Sequence, residues 1–268
     1  MGIANWIEIR RMDELGRMDT PVHRVDARAK AIVTFAFVVV VMSFPVYEVS
    51  ALTPLMLFPV ALVALGRIPA QHILSKILLA APFALVVGMF NPFMDRQPFA
   101  AIGPFTVTGG WMSFVSIMLR FVLTVGAALA LVACTGMNRL GAGLGRLGVP
   151  RVFIVQLLFL YRYLFVVADE GGKMFRSVEL RSERARPLSL RTYSALIGTL
   201  LLRSMDHAEH VYSAMVARGF DGEIRVMKPS SFRWTDVVFI CGWLAYFIAA
   251  RTWNLADGMG LLLTRIAL

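Results

Sequence analysis

The chain has 268 residues, 58% hydrophobic and 16% charged, with a mean hydropathy of +0.69. A soluble domain carries about a quarter charged residues, so a water-soluble globule is excluded. The net charge of +10 invites a nucleic-acid reading, but the bases cluster between apolar runs instead of forming a stripe interleaved with stacking aromatics, which is the pattern of a polytopic membrane protein.

Residues 1 to 30 mix six bases with five acids and have no apolar centre. They read as a cytosolic amphipathic lead-in, with Trp6, Ile7 and Ile9 at the interface, and no cleavable leader is expected. The segment PVHRVDARAK then holds the N-terminus inside by its bases. Ala31 to Tyr47 carries no charge, and Val49 to Leu65 is a second apolar run beyond Glu48; together they predict a short hairpin, each arm near the ~17-residue lower limit for a span. Arg67, His72 and Lys76 mark a return to the basic side. Ile77 to Met94 crosses outward, the Gly/Pro-rich loop Asp95 to Gly110 lies outside, and Met112 to Cys134 crosses back to Arg139, Arg146 and Arg151. Pro45, Pro54, Pro59, Pro82 and Pro92 are expected to kink spans within the bundle.

The next two segments differ from ordinary spans. If Val152 to Val167 crossed fully, Lys173 to Arg191, with six bases and two acids, would lie outside, against the orientation rule. The segment is therefore placed inside, and the helix from Arg151 leans along the cytosolic face. In LRTYSALIGTLLLRSMDHAEHVYSAMVARGF, Tyr193, Ile197, Leu200, Leu201, Met205, Ala208, Val211, Tyr212 and Met215 recur at helical spacing, while Arg203, Asp206, His207, Glu209 and His210 fall mostly opposite. That is a second amphipathic helix, too apolar on one face for water and too charged on the other for lipid, so both helices predict a protein partner. A basic connector, Arg225, Lys228 and Arg233, leads to a last span near Trp234 to Trp253. The fold class is thus all-α: about five transmembrane helices plus two long cytosolic amphipathic helices. Residues 1–150 form the lead-in and first four spans, 151–225 the amphipathic pair, and 226–268 the connector and last span.

Few motifs carry chemistry. Gly143-Leu-Gly145-Arg-Leu-Gly148 matches G-x-G-x-x-G, but a membrane helix precedes it where a dinucleotide site needs a strand, so it reads as a turn ending at Pro150. His207 and His210, beside Asp206 and Glu209, have metal-ligand types but too few partners; they read as a solvated face. Cys134 and Cys241 sit in apolar runs as packing residues. Arg120, flanked by Ser116 and Thr124 inside a span, is a structural or functional intramembrane candidate, and so is Arg162 between two tyrosines, where cation–π packing is the plain alternative. There is no catalytic constellation, no metal site and no cofactor motif. Arg181, in Leu180-Arg181-Ser182, and Arg218, in Ala217-Arg218-Gly219, lie at the ends of the two helices. Gly219 suits a left-handed C-cap, which leaves Arg218 free to enter an acidic cleft on another protein; the plain alternative is that both cations complement the helix dipole.

The stretches PVHRVDARAK, CTGMNRLGAGLGRLGVP, RYLFVVADE and LLLRSMDHAEHVYSAMVARGFDG resemble the transmembrane coupling (T) subunit of energy-coupling-factor transporters, especially the cobalt-type branch called CbiQ, over nearly the whole chain. The resemblance implies a subunit of a metal-uptake transporter in the bacterial cytoplasmic membrane, N-terminus cytosolic, that hydrolyses nothing itself. It implies two cytosolic ABC ATPase subunits and a substrate-binding (S) membrane subunit as partners, with a small accessory membrane subunit in some cases, and no nucleic acid. In that family an X-Arg-X motif near the end of each coupling helix docks on an ATPase. Carried over, the second motif is Ala217-Arg218-Gly219. The first is Leu180-Arg181-Ser182, which departs from the commoner Ala-Arg-Gly, with Ala185-Arg186-Pro187 as a competing alignment. Nickel or a vitamin are alternative substrates, and a stand-alone channel or carrier built around Arg120 and Arg162 is the alternative class.

Overall fold

The computed structural model describes residues 20–45, 49–94, 98–102, 105–181, 189–222 and 232–252. The described residues form two compact units, one of residues 20–136 and 232–252, the other of residues 137–222. The first, termed the membrane unit, holds three of the four described helices that are long and apolar enough to span a membrane. Its helices are α1 (Pro21–Arg24), α2 (Ala27–Ser43), α3 (Leu57–Leu65), α4 (Ala70–Met89), α5 (Asn91–Met94), α6 (Gly109–Thr135) and, after the second unit, α10 (Trp234–Thr252). The second contains α7 (Met137–Arg146), α8 (Arg151–Arg181) and α9 (Leu190–Ala217). The fold is all-α, apart from one antiparallel hairpin, β1 (Pro98–Ile102) with β2 (Phe105–Thr108), in the loop between α5 and α6.

In the membrane unit, α2 is capped by Asp26, whose side chain accepts from the Arg28 amide. It stops where Pro45 holds Phe44 in an extended conformation, ψ 149°. Its buried stripe is Ala29, Val33, Phe37 and Val41, spaced by one turn, and Phe35, Val39 and Met42 on other sides are exposed. A helix with a packed stripe and an apolar outer surface is built for lipid. The return arm begins as two 3-10 turns, Ser50–Leu52 and Pro54–Met56, and continues as α3, burying Leu52, Leu55, Phe58 and Leu62. Phe58 stacks with Phe37 at 4.8 Å and meets Trp243 and Phe247 of α10 at 4.9 and 5.4 Å, so an aromatic cluster joins α2, α3 and α10.

The longest element of this unit, α6, buries Gly126, Ala127, Ala130 and Ala133, small residues that let neighbouring helices approach closely. It runs antiparallel to α2, with contacts at two levels: Lys30 donates to the Cys134 carbonyl, and Arg120 donates to the Phe44 carbonyl. Between those levels each chain advances the same ~14 residues, about 21 Å of helix. Among the described residues α4, α6, α8 and α10 are long and apolar enough to cross a membrane, and Ser50–Leu65 is a shorter apolar stretch.

In the second unit α7 packs on α8 through glycines. A Cβ at Gly141 would lie 2.9 Å from Leu158 Cδ2, and one at Gly145 would lie 2.8 Å from Ile154 Cδ1. The turn to α8 uses Gly148 at φ +99°, a left-handed conformation that favours glycine. Among the described residues α7 thus groups with α8 and shares its apolar side with it.

Candidate functional site

α8 and α9 pack antiparallel. Phe175 meets Tyr193 at 5.6 Å, Glu170 pairs with Arg203 at 2.7 Å, Tyr163 stands edge-on to His207 at 5.9 Å, and Phe159 faces Phe220 at 6.4 Å. Gly171 lets the helices come close, since an added Cβ would lie 3.3 Å from Leu200. Beyond it the helices enclose an open groove of about 740 Å³, lined mainly by apolar side chains such as Val155, Phe159, Val211 and Met215. His207 lines this groove, edge-on to Tyr163, and is exposed, as expected of a solvated face. Among the described residues no three His, Cys, Asp or Glu side chains gather as a metal site.

Packing with α8 uses only part of the apolar face of α9. No residue of α9 is fully buried, and Ile197, Leu201, Met205 and Tyr212 remain 59 to 64% exposed. A row of large apolar side chains this exposed is a surface awaiting another apolar surface.

The C-terminal end of α9 is sharply defined. Phe220 N–H donates to the Met215 carbonyl at 3.0 Å and Gly219 N–H to the Val216 carbonyl at 2.9 Å. This is a Schellman closure, with Gly219 at φ +78°. Met215 and Phe220 both line the groove, supplying the hydrophobic contact that goes with such a closure. Arg218 is the exposed C-cap residue of this closure, so the backbone that carries its side chain is fixed while the guanidinium faces solvent. At the other helix, Leu180 is 81% exposed and Arg181 is the last residue of α8, also exposed. Ser182 and the competing Arg186 lie outside the described residues. Because the helices are antiparallel, Arg181 and Arg218 stand at opposite ends of the pair, separated by on the order of 30–40 Å of helix.

Arg120 does not line the groove. Its Nη2 donates to the Phe44 and Pro45 carbonyls at 2.9 and 2.8 Å, and Nε to Ser116 Oγ at 3.2 Å. These are the carbonyls left open at the C-terminal end of α2, so this arginine closes a helix end. Arg162 is exposed on α8, and the described cation–π contacts belong to Arg28 over Phe232 and Arg251 over Phe44.

Sequence reasoning missed a second polar centre, inside the membrane unit. Lys30 and Asp236 are 2% and 1% exposed. Lys30 Nζ donates to the Cys134 carbonyl at 3.0 Å, and the Asp236 carboxylate accepts from Asp26 N–H at 2.8 Å and Arg233 N–H at 2.7 Å. A lysine one turn past an Asp cap at the start of an uncharged run was the available signal; it was read only as an orientation charge.

These features define a class: a polytopic α-helical membrane protein carrying an amphipathic helix pair that ends in exposed arginines. The chain belongs to the CbiQ cobalt transport protein family, whose pattern matches residues 18–229. It is similar to the cobalt transport protein CbiQ of Rhodobacter capsulatus, 34% identical over 88 residues, 32% of this chain and 36% of that one. It is also similar to the energy-coupling factor transporter transmembrane protein EcfT of Leuconostoc gelidum subsp. gasicomitatum, 25% identical over 87% of this chain and 93% of that one. A third relative is the nickel permease LarQ of Lactiplantibacillus plantarum, 27% identical over 56% of each chain. The chain thus spans about a third of that CbiQ, just over half of LarQ, and nearly all of that EcfT.

Proposed function

We propose that this chain is the T component of an energy-coupling-factor transporter for a transition metal ion, cobalt first and nickel second. It binds no substrate in this role. Two cytosolic ATPases take Arg181 and Arg218, one each, and their closure moves the helix pair; the exposed face of α9 passes that movement to a separate substrate-binding membrane subunit, with or without a small accessory membrane subunit. ATP is hydrolysed only by the partners, and the chain sits in the bacterial cytoplasmic membrane with its N-terminus inside.

The observation that carries this reading is the display of Arg218. A Schellman closure fixes its backbone beyond a helix whose apolar face is left open, and a fixed, solvated guanidinium suits forked pairing with a carboxylate in a partner's cleft. The separation of Arg181 from Arg218 favours two docking points over one. Similarity to proteins named for cobalt transport and nickel permeation supports metal uptake.

Tagged chain solubilised from its own membranes tests this reading. Wild type is expected to bring down two ATPase copies and a small membrane protein. Arg181→Glu or Arg218→Glu alone loses one ATPase copy, and the double variant loses both while keeping the membrane protein. Recovery of wild type without ATPases, or an unchanged complement with the double variant, overturns it.

A further inference from the structure

The described residues of the membrane unit border the second unit at Gly136, after α6, and resume before α10. The C-terminus of α6 and the N-terminus of α10 are each tied to the first turn of α2 by a buried polar contact. The N-termini of α2 and α10 bring Asp26 and Asp236, and the C-terminus of α6 brings the open carbonyl of Cys134, which Lys30 takes at 3.0 Å. Each charge has the sign the adjoining helix end requires: acids at two N-termini and a base at one C-terminus.

The centre is also tied across elements. Asp236 accepts the N-cap amide of its own helix, from Arg233 at 2.7 Å, and the N-cap amide of α2, from Asp26 at 2.8 Å. One carboxylate therefore holds two helix starts. Asp26 in turn accepts from the Arg28 amide at 2.8 Å and pairs with its guanidinium at 3.1 Å, and that guanidinium lies over Phe232, just before α10. Next to Cys134, Thr135 is 1% exposed and its hydroxyl has no hydrogen-bond partner among the described residues; the same holds for Thr34, one turn beyond Lys30. The next residue after Thr135, Gly136, takes φ +74°, a left-handed break at the point where the chain leaves the unit.

A fully buried lysine and carboxylate are costly to desolvate, and an apolar set of similar volume would hold three helix ends in an apolar bundle at least as firmly. Stability alone therefore does not account for them. We infer that Lys30 and Asp236 are positioning residues for coupling: Lys30 holds the C-terminal end of α6 and Asp236 the N-terminal end of α10 to the start of α2, so that movement reaching these helix ends shifts the bundle and is not dissipated in fraying of α6 or α10. This rests on the coupling reading above. It adds a role for side chains that touch neither ATPase nor substrate.

The test uses the complete transporter with Cys241→Ser, which leaves Cys134 as the single thiol of this chain. Cys134 is fully buried, its Sγ 3.5 Å from the Leu62 carbonyl, and its own carbonyl is the one Lys30 holds. Lys30→Met is expected to assemble with the ATPases and permit ATP hydrolysis, but to lower metal uptake per ATP by ~10-fold; maleimide, excluded in wild type, then labels Cys134. Lys30→Arg, which keeps charge and donors, restores both readouts. Should Lys30→Met not assemble, Asp236→Asn carries the test, since one of its two acceptors becomes a donor; uptake per ATP is expected to fall ~3-fold.

Wild-type uptake per ATP in the variant that assembles overturns the inference. So does a loss of uptake that only tracks the amount of complex recovered, or continued protection of Cys134 in Lys30→Met. Arg218→Glu run alongside separates the two levels. If it retains both ATPases the coupling reading fails, while Cys134 labelling still reports whether Lys30 holds the end of α6.

Discussion

Gly219 shows how much one residue of the helix pair is asked to do. Its φ of +78° costs an L-residue about 1 kcal/mol, and nothing lies within 4 Å of an added Cβ, so the penalty of Gly219→Ala is purely one of backbone. The Schellman bonds from Gly219 and Phe220 would loosen and Arg218 would lose its fixed position. We expect Gly219→Ala to weaken ATPase binding by ~5-fold, the equivalent of that backbone penalty, and Gly219→Asn, which tolerates the left-handed region, to recover most of it. Titration of purified ATPase against nanodisc-embedded chain measures both; equal binding by all three forms would mean that Arg218 needs no fixed backbone. The conformation was legible beforehand, because a glycine ending an amphipathic run beside an arginine is a C-cap signature. Lys30 was not legible in the same way. A base at the start of an apolar run ordinarily marks topology, and only the three-dimensional packing of α2 against α6 turns it into a buried contact.

At the scale of elements, Arg120 decides between a pore and a bundle. Its donors are directed at the Phe44 and Pro45 carbonyls and at Ser116, and Arg251 approaches the Ser43 carbonyl at 3.4 Å from α10. The C-terminal end of α2 is thus closed by arginines from two neighbouring helices. Arg120→Leu leaves two carbonyls without their cationic donor, and a loss of about 2–3 kcal/mol of stability is expected. In a thermal-shift assay the detergent-solubilised variant should melt several degrees lower, with Arg120→Lys in between, while liposomes holding the chain alone show no metal flux for any form. Flux that appears with wild type and disappears with Arg120→Leu would support the channel class instead. The spans themselves were readable from apolar length, since α4, α6 and α10 need little more than hydropathy. The β1–β2 hairpin was not, because two strands of five and four residues in a Gly/Pro-rich loop are too short to show a period-2 pattern. The same limit applies to α7. Gly143 and Gly145 read as part of a turn, whereas the structure makes them helical and sets Gly141 and Gly145 against Leu158 and Ile154, where the missing side chains let two helices touch.

For the molecule as a whole, the helix pair has two kinds of contact surface, and they are separable. The cationic ends are polar, exposed and at opposite extremes of the pair, whereas Ile197, Leu201, Met205 and Tyr212 form an apolar row along α9. Exposed apolar area contributes to association roughly in proportion to what is buried, about 25 cal/mol per Å², and a charge placed at its centre must be desolvated without a partner. Met205→Lys, near the middle of the row, is therefore expected to abolish association with the substrate-binding subunit and stop uptake, while both ATPases remain bound and active. Arg181→Glu/Arg218→Glu should do the reverse, keeping the membrane partner and losing the ATPases. Co-purification of all subunits from cells expressing each variant measures the pair of outcomes. If Met205→Lys also sheds the ATPases, the two surfaces are not independent and α9 is being read as one continuous interface. If it sheds nothing, the apolar row faces lipid or the chain's own membrane helices, and the path of force to the substrate-binding subunit runs through another face of the pair.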